Sequence, residues 1–109
     1  MAVKITYPLD KELTREQLYR HTVARGTSLK NMDDGEKITV KEIVGYEADD
    51  GSKIISILDQ ENKHYVSSSK IFREELAKIV EIFGDTGFTI RICKEVSKQG
   101  RTYVSCELA

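Results

Sequence analysis

Hydrophobic positions along this chain alternate in some stretches and recur every three to four residues in others. Over 37–47, Ile38 and Val40 share one face; the alternation then breaks around Glu42 and Ile43, and Gly45 follows. A broken period with a glycine predicts a long strand carrying a bulge or sharp bend. Asp49-Asp50-Gly51-Ser52 predicts a tight hairpin turn, with 53–59 as the second strand. A further turn at 60–63 leads into a short third strand, 64–67. The period then becomes helical: Phe72, Leu76, Ile79, Val80 and Phe83 form one stripe, widened by Ile71 and Ile82. This predicts a helix at about 70–83, capped by Ser68 or Ser69 and ended by Gly84. Two strands follow, 88–96 and 101–108, joined by Ser97-Lys98-Gln99-Gly100. Thr102, Val104, Cys106 and Leu108 are predicted to face inward, and Arg101, Tyr103, Ser105 and Glu107 outward. Matching the apolar faces pairs Ile92 with Cys106 and Cys93 with Ser105, which puts the two thiols on opposite faces.

Ahead of Glu36, residues 1–12 read as an irregular arm. Thr14-Arg15-Glu16-Gln17 is a capping box, flanked by Leu13 and Leu18 at staple positions, and Gly26 is a natural terminator. A helix at about 15–25 follows, with Leu18, Thr22 and Val23 as a thin apolar stripe and Arg15, Arg20, His21 and Arg25 on its polar face. So short a helix must dock on something to be stable. The chain thus divides into an arm-and-helix segment, 1–35, packed on a domain at 36–109. The order strand, strand, strand, helix, strand, strand, with a bent and glycine-bearing first strand, predicts a mainly β protein: a five-stranded Greek-key OB barrel with one end plugged by the helix. An open α+β sheet is the alternative.

Length and composition narrow the function classes. At 109 residues there is room for one domain, and 39% hydrophobic residues suffice for one modest core. Charged residues make up 32%, yet 17 Lys+Arg against 18 Asp+Glu leave a net charge of −1, unlike a histone-like polycation. No apolar run approaches the roughly 20 residues that cross a bilayer, and Met1–Thr6 lacks a signal peptide's apolar stretch. A soluble, cytoplasmic protein with two reduced cysteines is expected.

No catalytic or metal-binding pattern stands out. His21 and His64 lie on different predicted elements, each without a Cys or carboxylate at ligand spacing, and there is no CxxC, HExxH or phosphate-binding glycine loop. Asp33-Asp34-Gly35-Glu36 and Asp49-Asp50-Gly51 lack the alternating ligands of a calcium loop and read as turns. A non-enzymatic protein without a cofactor, metal or small-molecule substrate is expected. The informative residues are those on the outward face of the sheet. Arg91, Arg101 and Tyr103 project from the last hairpin with Lys98 at its tip; Lys41, Lys53 and Lys63 lie on or beside the first two strands; Tyr65 is in the third. Tyr46, past the bulge, has ambiguous parity and suits core or surface equally. Basic side chains and aromatic rings together hold single-stranded nucleic acid, the cations on phosphates and the rings on bases. The same residue types also stabilise antiparallel sheets through cross-strand pairs.

Four pieces carry a family resemblance: Ile43-Val44-Gly45-Tyr46 with Asp50-Gly51; Tyr65-Val66-Ser67 running into the helix; Leu76-Ala77-Lys78-Ile79 with Phe83-Gly84; and Ser97-Lys98-Gln99-Gly100-Arg101-Thr102-Tyr103. From about Glu36 to Leu108 the chain resembles the small OB-fold single-stranded-DNA-binding proteins of phages and mobile elements of Gram-positive bacteria. The resemblance implies non-catalytic DNA binding during replication or recombination. Tyr46, Tyr65 and Tyr103 would stack bases, and Lys41, Lys53, Lys63, Arg91, Lys98 and Arg101 would hold phosphates. Housekeeping single-strand binders carry a glycine-rich linker and an acidic tip, whereas this chain ends at Cys106-Glu107-Leu108-Ala109, so tail-mediated recruitment is not expected. A homodimer is compatible with exposed sheet edges. The rival reading is an OB-like protein-interaction module whose 15–25 helix is a docking element.

Overall fold

The longest strand organises everything else. In the computed structural model, which describes residues 4–7, 12–84 and 86–109, the elements run β1 (Lys4–Tyr7), α1 (Arg15–Thr22), β2 (Thr27–Ser28), a 3-10 turn (Leu29–Asn31), β3 (Lys37–Glu47), β4 (Lys53–Asp59), β5 (His64–Ser67), α2 (Lys70–Phe83), β6 (Phe88–Val96) and β7 (Thr102–Leu108). β3 pairs antiparallel with β6 over Lys37–Val40 and with β4 over Val40–Glu47. The expected bulge falls between Val40 and Glu42, where β6 ceases to be a neighbour. The sheet order is β2-β5-β4-β3-β6-β7, with β1 added against the C-terminal half of β3. The result is a mainly β protein, a curled half-barrel with two helices.

The core lies inside the curl. Ile38, Val40, Ile43, Ile57, Ile90 and Ile92 meet Phe72 and Leu76 of α2 there, and Leu29 and Met32 of the preceding turn join them. The predicted α2 bounds hold: Ser69 caps it by accepting from the Phe72 N–H, and Gly84 closes it by donating to the Val80 carbonyl. The predicted pairs Ile92 with Cys106 and Cys93 with Ser105 are both present, and both cysteines are free thiols.

Several expectations are corrected. Within the expected irregular arm, Lys4–Tyr7 is a strand; the remainder at 1–3 and 8–11 lies outside the described residues. The strand was invisible because four residues show alternation too briefly to read. Gly45 of β3 marks where it lies: a Cβ there would come 3.1 Å from Thr6 Oγ1 and 3.3 Å from Ile55 Cδ1. The capping box of α1 forms as expected, but the helix ends at Thr22, since the N–H groups of Val23 and Ala24 both donate to the Tyr19 carbonyl. His21, placed on the polar face, is instead fully buried, whereas Val23 is exposed. Ile71 and Ile82 do not widen the buried stripe of α2; both are exposed. On β7, Thr102 and Leu108 are exposed because the strand's ends outrun the core, and mid-strand Ser105, expected outward, is buried opposite Cys93.

Candidate functional site

Two of the predicted stacking rings are core residues. Tyr65 pairs opposite Ile57, shares its core-facing side and donates its hydroxyl to Asp59 Oδ2 at 3.2 Å. Burial first, and then Asp59, push its phenol up to about 12. Tyr46 is buried on the opposite side of the sheet, among Val44, Ser56 and Ile54, and burial raises its phenol as well. Neither ring is open to a base in this structure, which corrects the reading of Tyr65 as a surface residue and decides Tyr46, left open between core and surface, for the interior. Tyr65 was misread because it lies in a four-residue strand whose facing is decided by its partner β4, not by its own alternation.

The other candidates fall into separate groups. Lys41 sits on the bulge, with Nζ donating to Asn62 Oδ1 at 2.8 Å, and Lys63 follows that asparagine. Lys53 lies at the far end of the same strand pair, opposite Glu47. Arg91 and Tyr103 share the outward face of the β6–β7 hairpin, but each has a carboxylate: Arg91 Nη1 to Glu107 Oε1 at 2.7 Å, Tyr103 hydroxyl to Glu95 Oε2 at 2.7 Å. These are cross-strand partners, as sheet energetics favour. Lys98 and Arg101 occupy the turn closed by the Gly100 N–H to the Ser97 carbonyl. Both are exposed, and neither has an ion-pair partner among the described residues.

Beside that hairpin the half-barrel is open. Among the described residues β5 and β7 form no ladder; β2 instead pairs in parallel with β5, Thr27 opposite Tyr65 and Ser28 opposite Val66. A hydroxyl crosses the seam: Ser69 Oγ donates to the Val104 carbonyl at 3.0 Å. Next to this bond lies a cleft of about 280 Å³, lined by Ser28, Lys30, Ser67, Ser68, Ser69, Thr102, Tyr103 and Val104. The N-terminus of α2 opens into it, adding the positive end of a helix dipole to the Lys30 ammonium. Hydroxyls, one cation and one phenol ring suit a phosphate with an attached base better than an apolar ligand. Reading the sequence brought Tyr103 here and missed Lys30 and the serines. The run Ser67-Ser68-Ser69 ahead of a helix was visible as a cap signal but not as a lining.

A second polar cluster was not expected at all. His21 Nε2 meets Glu42 Oε1 at 2.6 Å, and His21 Nδ1 meets Ser56 Oγ at 2.7 Å; His64 Nε2 also bonds Ser56 Oγ. The imidazole rings lie edge to face, 6.0 Å apart. No carboxylate lies at ligand spacing from either histidine in the sequence; Glu42 reaches His21 through tertiary packing, and His64 meets Ser56. Desolvation lowers the pKa of both histidines, outweighing the raising effect of Glu42 on His21. Ser56 is fully buried, so its hydroxyl bridges two imidazoles and does not meet a substrate in this arrangement. The acidic turns act as turns: Asp34 Oδ1 accepts from the Lys94 N–H, and Asp50 Oδ1 from the Ser52 N–H. Among the described residues no group of His, Cys, Asp and Glu is placed to hold a metal, and no helix is long and apolar enough to cross a membrane. Comparison with protein-family models, with curated proteins and with solved structures found no match.

Proposed function

We propose that the protein binds single-stranded DNA without catalysing a reaction, as an OB-type barrel serving replication or recombination of a phage or mobile element. One observation carries this reading: the hydroxyl-lined cleft at the open seam combines Tyr103, Lys30 and the α2 N-terminus, beside a hairpin turn that carries Lys98 and Arg101. A ring and several unpaired cations along one track are what sequence-tolerant single-strand binding requires. The near-neutral net charge is compatible with it because only the track needs to be basic. The four resembling sequence pieces support the same assignment.

The test is fluorescence anisotropy of a labelled oligothymidylate about 30 nucleotides long, a length that covers several stacked bases, at two salt concentrations with duplex DNA as competitor. Sub-micromolar binding that weakens with salt and ignores duplex is the expected result. An RNA oligonucleotide of matching length separates the two polymers, whose difference is one hydroxyl per nucleotide. No binding at low salt overturns the reading. A protein-interaction module is then the better account, and an apolar cleft of about 250 Å³ between α2 and the sheet, lined by Ile43, Ile55, Leu76 and Val80, favours it.

A further inference from the structure

Helix α1 is held on the sheet by polar contacts. Register puts Glu42, Val44 and Tyr46 of β3 on one side, opposite Leu58, Ser56 and Ile54 of β4, with His64 and Val66 of β5 beyond them. The alternate residues Ile43 and Ile57 face the core, so this is the outer side. α1 lies on it, since His21 reaches both Ser56 and Glu42, and Gln17 Nε2 donates to Glu42 Oε2 at 3.3 Å. Of the eight residues of α1, His21 is the one that is buried. A helix of two turns has little stability of its own, so its docking depends on these few contacts, with the His21 imidazole at their centre and Gln17, Leu18 and Thr22 half-buried around it.

The hydrogen bonds of that docking do not close. The Glu42 carboxylate makes His21 Nε2 a donor, so neutral His21 accepts at Nδ1 and takes the single Ser56 proton. Ser56 must then accept from His64 Nε2–H, and neutral His64 keeps a lone pair at Nδ1, a buried atom without a hydrogen-bond partner, while the Ala24 and Arg25 backbone beside the ring favours its protonated form. The chain leaving α1 presses on this atom: a Cβ at Gly26 would come 2.8 Å from it. Nonetheless the covered side carries what the open track carries. Tyr46 is on it, buried, opposite Ile54 and next along the face to Val44, and Lys41 and Lys63 stand at its far border.

We propose that α1 is a displaceable cover, and that the side of β3, β4 and β5 beneath it is a second, occluded stretch of the nucleic-acid track, with Tyr46 as its stacking ring. The proposal rests on the single-strand reading above. In the covered form the protein binds through the seam cleft and hairpin alone. Lifting α1 adds ring and apolar surface, and the Glu42–His21–Ser56–His64 chain is the latch that sets how often this happens.

The experiment uses the full chain as wild type, His21→Ala and Glu42→Gln, with oligothymidylate anisotropy and hydrogen exchange on each. The expected result is loss of protection at the α1 amides with β3, β4 and β6 still protected, and binding tighter by roughly fivefold or more, the lower range of measured couplings between sites. Adding Tyr46→Leu to His21→Ala is expected to remove the gain. If His21→Ala does not fold, Glu42→Gln, a near-isosteric change at a partly exposed residue, carries the test alone. α1 amides that stay protected in both variants overturn the latch. Freed amides with unchanged affinity, or a gain that survives Tyr46→Leu, overturn the covered track while leaving the single-strand reading intact. No binding by any of the proteins overturns both.

Discussion

His21 and Glu42 stand 21 positions apart in sequence and meet at 2.6 Å between Nε2 and Oε1, tying α1 to the bulge of β3. The bulge shapes the contact. An extra residue between Val40 and Glu42 shifts the register, so that Glu42 opposes Leu58 and shares the outer side with Ser56. Without it Glu42 would swap sides with Ile43.

This contact predicts a stability that falls in mild acid. Burial lowers the pKa of His21 and of His64 below the ordinary 6.5, against the opposing pull of Glu42 on His21. The unfolded chain therefore takes up protons near pH 6.5 that the folded one refuses. The histidine contribution is fully present above that pH and is lost as pH falls from there through the lowered folded values. The melting temperature at pH 5.5 is expected below that at pH 7.5, and the gap is expected to shrink in His21→Gln. Thermal melts across this window check it; an equal gap in wild type and variant would show that the carboxylates govern the slope.

A second prediction separates the two faces of α2. Phe72 is fully buried at the centre of the core, so Phe72→Ala is expected to cost about 3–5 kcal/mol. Ile82 belongs to the same hydrophobic-looking helix but is 77% exposed, and Ile82→Ala is expected to stay within about 0.5 kcal/mol. Urea titrations of the two variants test whether α2 plugs the half-barrel in the orientation described.

α2 also shows what could be read in advance. Its bounds, those of β3, β4, β5 and β6, and the Ile92–Cys106 register all follow from periods long enough to count, and the capping box of Thr14 and Gln17 from residue type at fixed spacing. Ile82 and Ile71 were misplaced because a stripe drawn on a helix says nothing about how far the partner surface extends. His21 and Tyr65 were misplaced, and Tyr46 stayed open between core and surface, for a related reason: a side chain with both polar and apolar parts suits either environment, and tertiary partners decide. Lys30 was missed because its neighbours in the cleft, Ser67 to Ser69 and Tyr103, come from elements remote in sequence.

At the cleft, Tyr103→Ala and Lys30→Glu are each expected to weaken oligonucleotide binding while leaving the melting temperature nearly unchanged. Loss of one stacking ring corresponds to roughly a 5- to 150-fold weakening. Arg101→Glu is expected to weaken binding and to reduce its salt dependence, since one phosphate contact is lost. Arg91→Ala is expected to do less, because Glu107 already neutralises that guanidinium. Anisotropy titrations at two salt concentrations give all four. Three variants that bind like wild type would move the site elsewhere.

The last prediction concerns Gly26, which sits where the chain leaves α1 for β2. Its backbone is pressed on the His64 ring: an added Cβ would lie 2.8 Å from Nδ1 and 3.1 Å from Cε1. That ring cannot swing aside freely, because Nε2 is held by Ser56 and His64 is paired in the ladder opposite Leu58. Gly26→Ala is therefore expected to act as overpacking, costing about 1–3 kcal/mol. The loss should concentrate in the strap formed by the segment from α1 through β2, with faster amide exchange where β2 pairs with β5 and in α1, while β3, β6 and β7 stay protected. A neutral Gly26→Ala with unchanged exchange would mean that the imidazole yields, and that the strap is held by Leu29 in the core, not by the ring beneath it.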